Sequence, residues 1–288
     1  MLNKQKENQL KIQANIIRQD IIKMITAAGS GHPGGSLGMT DILTALYFGV
    51  LKHNPKKPLW PERDRLILSN GHIVPVRYAA MARAGYFPVQ RLKTLRKFGS
   101  PLQGHPSLHD FPAMECSSGP LGQGISVAVG MALAAKLNKK SYWVYCLMGD
   151  GEINEGQCWE AYLLAAKYKL NNLTVILDRN NIQIDGRSDE VMPLNPLAAK
   201  YRAFNFKVMT VNGHNFSEIL KALQAAGWER SKPTVIIART IPGKGVTYME
   251  NDYQWHGNAP KPEQAKEALD QLNKELLTLQ HVAKKLAK

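Results

Sequence analysis

Three cysteines, Cys116, Cys146 and Cys158, are all that the 288 residues contain. An odd number without a C-x-x-C pair argues against both a disulfide framework and a zinc site. Cys146 falls in an apolar run and reads as a small buried hydrophobe. No stretch approaches the ~20 apolar residues of a membrane span, and the opening MLNKQKENQLK has no apolar signal core. A cytoplasmic protein without membrane contact is therefore expected. Acidic residues are also scarce: 23 against 37 Lys and Arg, a net charge of +14. Such an excess suits nucleic acid, anionic small molecules or an acidic partner. The basic residues cluster at Lys4, Lys6 and Lys11, along Arg91 to Lys97, and in the tail from Lys261, without interleaved aromatics. No helix-turn-helix, zinc-finger or RNP-like pattern accompanies them, so a nucleic-acid role would rest on charge alone and is not expected.

Apolar residues at 44% and charged ones at 21% are ordinary for a soluble globular chain. Leu10, Ile12, Ile16, Ile17, Ile21, Ile22 and Ile25 recur at helical steps, which predicts an amphipathic helix over Lys4 to Ala28. A glycine-rich loop, Ser30 to Gly38, and a second helix through Leu51 follow. Arg65 to Leu68 reads as a strand, Pro75 to Ala84 and Val89 to Lys97 as helices, and Gly99 to Pro120 as a functional loop. Leu121 to Leu137 is a helix crowded with small residues, suited to a core or a subunit seam. Strands at Ser141 to Met148 and Leu173 to Leu177 enclose a helix from Glu155 to Lys169, a βαβ unit that implies parallel strands. Strands at Lys207 to Val211 and Thr234 to Ala238 extend it, around a helix opened by Asn215-x-x-Glu218. The expected fold is α/β: one doubly wound, mainly parallel sheet flanked by helices over residues 1–260, with a helical tail over 261–288.

Ligands of open parallel sheets sit at the carboxyl ends of the strands. Here those ends are Asn70-Gly71-His72, Gly149-Asp150-Gly151 and Asp178-Arg179-Asn180-Asn181. Adjacent strand ends can unite Asp150 and Asn180, although thirty positions separate them. One carboxylate, one amide oxygen and a backbone carbonyl form a hard-oxygen site that diphosphate oxygens and water would complete around Mg²⁺. Gly-Asp-Gly alone is a common turn; the pairing with Asn180-Asn181 gives it meaning.

That pairing resembles the thiamine-diphosphate signature. Ser30-Gly31-His32-Pro33-Gly34, Ser69-Asn70-Gly71-His72, Gly104-His105-Pro106, Gly119-Pro120-Leu121-Gly122-Gln123-Gly124 and His256-Gly257 are similar to transketolase motifs, in transketolase order, over roughly Gln13 to Pro260. The resemblance implies that Asp150, Asn180 and the Ile182 carbonyl hold Mg²⁺, and that Gly149, Gly151, His72 and His256 lie against the cofactor diphosphate. It also implies that Gly119, Pro120 and Leu121 run along thiamine diphosphate, with Leu121 supporting its bent shape, and that Glu155 belongs to the cofactor loop. His105 would bind the donor's first hydroxyl, while His32 and His256 would assist proton transfers, with His72 beside them. Glu160 resembles the acid that couples paired active sites. Ser107 stands where the family commonly has an acidic residue. Lys244 reads as a solvated loop lysine, and His53, His109, His214 and His281 receive no role.

Members of the family draw the carboxylate that activates the aminopyrimidine from a separate pyrimidine-binding domain, and 28 residues follow Pro260 here. The resemblance thus implies the diphosphate-binding part of a split transketolase. Such a subunit would move a two-carbon ketol unit between sugar phosphates only with a partner subunit carrying the pyrimidine-binding and C-terminal domains, in an α2β2 heterotetramer. The alternatives are a half of a deoxyxylulose-phosphate synthase-like enzyme and a non-catalytic cofactor-binding module.

Overall fold

The computed structural model describes residues 3–184 and 186–287. Helix α1, Lys4–Ala28, begins where the Asn3 side chain accepts from the Lys6 amide at 2.7 Å, and it ends on Gly29 at φ 67°. Its isoleucine stripe, Ile17, Ile21, Ile22 and Ile25, is wholly buried, as the helical spacing predicts.

The stretch expected as a glycine-rich loop is instead largely helical. Pro33–Gly38 forms α2, with Pro33 in the first turn where its missing N–H costs nothing. Its glycines serve close backbone approach: a Cβ on Gly34 would lie 3.0 Å from the Trp255 carbonyl oxygen, and one on Gly38 3.0 Å from that of Ile241. Helix α3, Thr40–Ala45, ends in a π-turn over Leu46–Val50. After strand β1, Arg65–Leu68, comes α4, Val74–Arg83. The helix expected over Val89 to Lys97 shrinks to a 3₁₀ stretch, Val89–Thr94, because Leu95 leaves the helical region at ψ 128° and Arg96 turns to φ 59°.

Helix α5, Gln123–Leu137, precedes β2, Val144–Gly149; α6, Gly156–Lys167, precedes β3, Leu173–Arg179. A short antiparallel ribbon of β4, Ile182–Gln183, and β5, Gly186–Arg187, leads into α7, Ser188–Val191, and α8, Leu197–Ala203. Then follow β6, Lys207–Asn212; α9, Phe216–Gly227, whose Asn215 cap accepts from the Glu218 amide; β7, Thr234–Arg239; and α10, Pro262–Leu286.

The main sheet runs β1-β2-β3-β7-β6, with every pairing parallel. Strand residues alternate between its two faces. Leu66, Leu68, Tyr145, Leu147 and Ile176 join α1, α4, α9 and α10 in one core, while Ile67, Cys146, Met148, Val175 and Leu177 join α5, α6 and α8 in the other. Gly124 must be glycine because a Cβ there would come within 2.6 Å of Ser69. The tail helix is docked: Asn15 Nδ2 donates to the Leu272 carbonyl at 3.0 Å and to Glu275 at 2.8 Å, over buried Ala268 and Leu272.

Candidate functional site

The carboxyl ends of β1, β2 and β3 open on a cavity of about 320 Å³. Its lining brings together His32, His72, Gly119, Leu121, Gly149, Asp150, Gly151, Asn180, Ile182 and His256. The register explains the central meeting, since Gly149 and Asp178 are partners across β2 and β3 and each strand ends in its polar loop.

Asp150 is buried, and its two oxygens are fully engaged. Oδ1 accepts from the Gly151 amide at 2.8 Å and the Ser188 hydroxyl at 3.2 Å; Oδ2 accepts from Arg179 at 2.7 Å and the Asn181 amide at 2.7 Å. Burial pushes its carboxyl above the usual range, and these donors pull against it. The Asn180 amide accepts from the Ile182 N–H at 2.9 Å and donates to Asp178 at 2.9 Å. Asp178 is pushed up to about 7 by burial, with the Asp150 charge adding to the effect. Among the described residues no group of three or more His, Cys, Asp or Glu is placed to hold a metal. A cation here would rest on the Asp150 carboxylate, displacing one of its present donors, with the Asn180 amide oxygen and the Ile182 carbonyl, a hard donor set suited to Mg²⁺. His32 Nδ1, Asn70 Oδ1 and Gln183 Nε2 are buried without a partner among the described residues, and all three residues line the cavity. Such unmet donors and acceptors fit a polar, phosphate-bearing ligand.

Three imidazoles line the same cavity. The ring centroids of His32, His72 and His256 stand 5.0, 5.6 and 5.2 Å apart in a triangle. His105 lies next to it, behind Gly119, where a Cβ would meet its ring at 3.7 Å. Burial lowers all four pKa values. His32 falls to about 4, helped by His256, Arg96 and His105, and His72 falls well below the usual value. Neutral rings can both donate and accept near physiological pH. Between about 6.5 and 4 the unfolded chain holds a proton on His32 that the folded chain does not, so this contribution to stability falls as pH falls through that window. Asp178, with its raised pKa, acts in the opposite sense. The comparison is therefore His32→Asn against wild type: the variant's urea midpoint should gain on the wild type's between pH 6.5 and 4, and a constant gap would contradict the neutral-ring picture.

The thiamine diphosphate binding domain of transketolase, as a family model, matches residues 9–280. The chain belongs to the transketolase family. It is 43% identical to the 6-deoxy-6-sulfo-D-fructose transketolase subunit SqwG of Clostridium sp. (strain MSTE9), over 92% of this chain and 97% of that one. It is 39% identical to an apulose-4-phosphate transketolase subunit of Phocaeicola vulgatus, over 94% and 96%. The crystal structure of transketolase from Campylobacter jejuni superposes with a TM-score of 0.87 at 37% identity, covering 95% of this chain and 43% of that chain. The family match runs past residue 260 into α10, in keeping with the docking of that helix on α1.

Some transketolase-like residues fall outside the cavity wall. Glu155 is exposed at the start of α6, pressed against Gly122, and Pro120 is exposed between the lining residues Gly119 and Leu121. Glu160 is exposed on α6. Ser107 donates to Asp110 at 2.7 Å, so a carboxylate is present three positions beyond the usual acidic one. Lys244 is not freely solvated; it is half-buried and pairs with Glu250 at 3.1 Å. His214 carries a buried structural bond to Asp41 at 2.7 Å. Sequence reading passed over Glu152, which accepts from Ser69, from the Gly122 amide at 2.7 Å and from the Gly149 amide at 3.0 Å. It also passed over Arg96, whose guanidinium reaches Ser30 at 3.3 Å and helps keep His32 neutral. An acid directly after Gly149-Asp150-Gly151 was the one available sign of the first; the second lay hidden in a basic run.

Proposed function

We propose that this chain is the diphosphate- and Mg²⁺-binding subunit of a transketolase, transferring a two-carbon ketol unit between sugar phosphates and active only with a partner subunit. The observation that carries the reading is one cavity lined both by an oxygen donor set and by three clustered histidines. Asp150, Asn180 and the Ile182 carbonyl would hold the metal, and Gly151, His72 and His256 would face the diphosphate. Bound thiamine diphosphate would supply the electron sink for carbon–carbon cleavage. His105 would orient a donor hydroxyl, while His32 and His256 would hold or pass protons at their ring nitrogens. The cofactor wall formed by Gly119 and Leu121 would exclude water from one side. The related subunits are named for ketose substrates carrying a sulfo or phosphate group, which supports an anionic ketose as donor here.

The partner would bring the pyrimidine-binding domain and its activating carboxylate. Leu137, Leu163, Leu164 and Tyr168 on or just beyond α5 and α6 are exposed, beside uncovered Gly130 and Val127. Such a strip would suit a twofold pairing in an α2β2 assembly.

The test assays the purified chain with ketose donor, aldose acceptor, Mg²⁺ and thiamine diphosphate, first by itself and then with the partner subunit. No turnover is expected from the chain by itself and full turnover on mixing. Turnover by the lone chain would end the split-enzyme reading.

A further inference from the structure

Arg179 and Arg239 are register partners across the parallel β3–β7 pair. Like charges side by side on neighbouring strands destabilise a sheet unless an opposite charge relieves them. Arg179 has its counter-ions, Asp150 at 2.7 Å and Asp189 at 2.6 Å. Arg239 is exposed and enters no ion pair among the described residues. The acids that share a cavity wall with it are engaged elsewhere: Asp189 with Arg179, and Glu218 with the Asn212 amide at 2.9 Å and Asn215 Nδ2 at 3.0 Å.

These two arginines open on a cavity of about 440 Å³, distinct from the one described above but divided from it by Asn180 and Ile182. Thr210, Thr240, Asn195 and Asn251 add to its polar wall, with Arg187, which pairs with Glu190 at 3.5 Å, at the same cavity. It lies at the carboxyl ends of β3, β7 and β6, the edge where open α/β sheets receive ligands. Its volume falls in the range of small-molecule sites, roughly 300–1,000 Å³. Guanidinium forks match phosphoryl oxygens in geometry as well as charge.

We propose that this cavity is a second anion site, taking a small phosphorylated molecule whose phosphoryl group lies against Arg239 and Arg179 with hydroxyl and amide donors around it. The site stands apart from the cofactor reading and does not need it. Arg179 of this cavity pairs with Asp150 of the other, so occupancy of one acts on the other through that ion pair.

The test is calorimetric titration of inorganic phosphate into the full chain at low ionic strength. One site is expected in the wild type, at least about tenfold weaker in Arg239→Gln, the loss expected with a charge-assisted hydrogen bond. Arg230→Gln removes an exposed positive charge beyond α9 and is expected to bind phosphate as the wild type does. Arg239→Lys should recover part of the affinity, keeping the charge but losing the fork. Absence of a phosphate site in the wild type, wild-type affinity in Arg239→Gln, or an equal loss in Arg230→Gln would each overturn the assignment.

Discussion

Asp150→Ala is expected to weaken Mg²⁺-dependent binding of thiamine diphosphate by at least about a hundredfold, the upper end of what losing even a supporting group costs a metal site. Two effects act together. In the proposed site the cation would lose its carboxylate ligand, leaving an amide and a carbonyl that carry no formal charge. Arg179, previously shared between Asp150 and Asp189, keeps one counter-ion and leaves a positive charge beside the metal's place. Asp150→Asn separates the two: it preserves the shape and one acceptor, so a loss nearly as large as that in alanine assigns the effect to charge. Calorimetry with Mg²⁺ and cofactor reads both variants, and unchanged affinity in both would sink the metal assignment.

Asp41→Ala is expected to cost about 3–5 kcal/mol of stability, the range for removing one partner of a buried ion pair. Arg18 meets Asp41 at 2.6 Å with both side chains only 7% exposed, so alanine strands a guanidinium in the core. His214 Nδ1 loses the same carboxylate at 2.7 Å, while its Nε2 goes on accepting the Ile241 amide at 2.8 Å. One carboxylate thus fastens α1, α3 and the loops after β6 and β7. Burial raises the Asp41 pKa, but Arg18 and His214 outweigh it and hold the carboxyl below its usual value. Its contribution is therefore present above the unfolded value near about 4 and is lost as pH falls through the lower folded value. Urea unfolding near neutral pH measures the loss. The double variant Asp41→Ala, Arg18→Leu should be more stable than Asp41→Ala by itself; a single-variant loss under about 1 kcal/mol would show the buried pair to be dispensable.

The βαβ frame was legible because its signals are local. Arg65 to Leu68 and Lys4 to Ala28 announce their bounds through periodicity and flanking glycines, and the structure keeps both. Asp150 and Asn180 were legible through strand-end chemistry, and the histidine loops through their likeness to a family. Contacts made across the chain could not be read. Nothing near Gly34 or Gly38 says that the Trp255 and Ile241 carbonyls press on them, so a helix there reads as a loop. His214 shows no local partner, since Asp41 is 173 positions away. The pairing of Arg179 with Arg239 depends on strand order, which the sequence does not spell out.

Glu152 joins three segments that the chain visits separately: the end of β1 at Ser69, the turn before α5 at Gly122, and the end of β2 at Gly149. A common acceptor of this kind makes their opening a single event, because freeing any one donor loosens the carboxylate that the others share. The amide protons of Gly122 and Gly149 should then exchange with solvent deuterium at one common rate, far slower than loop amides usually do. Before any ligand arrives, the floor of the cavity is expected to move as one unit.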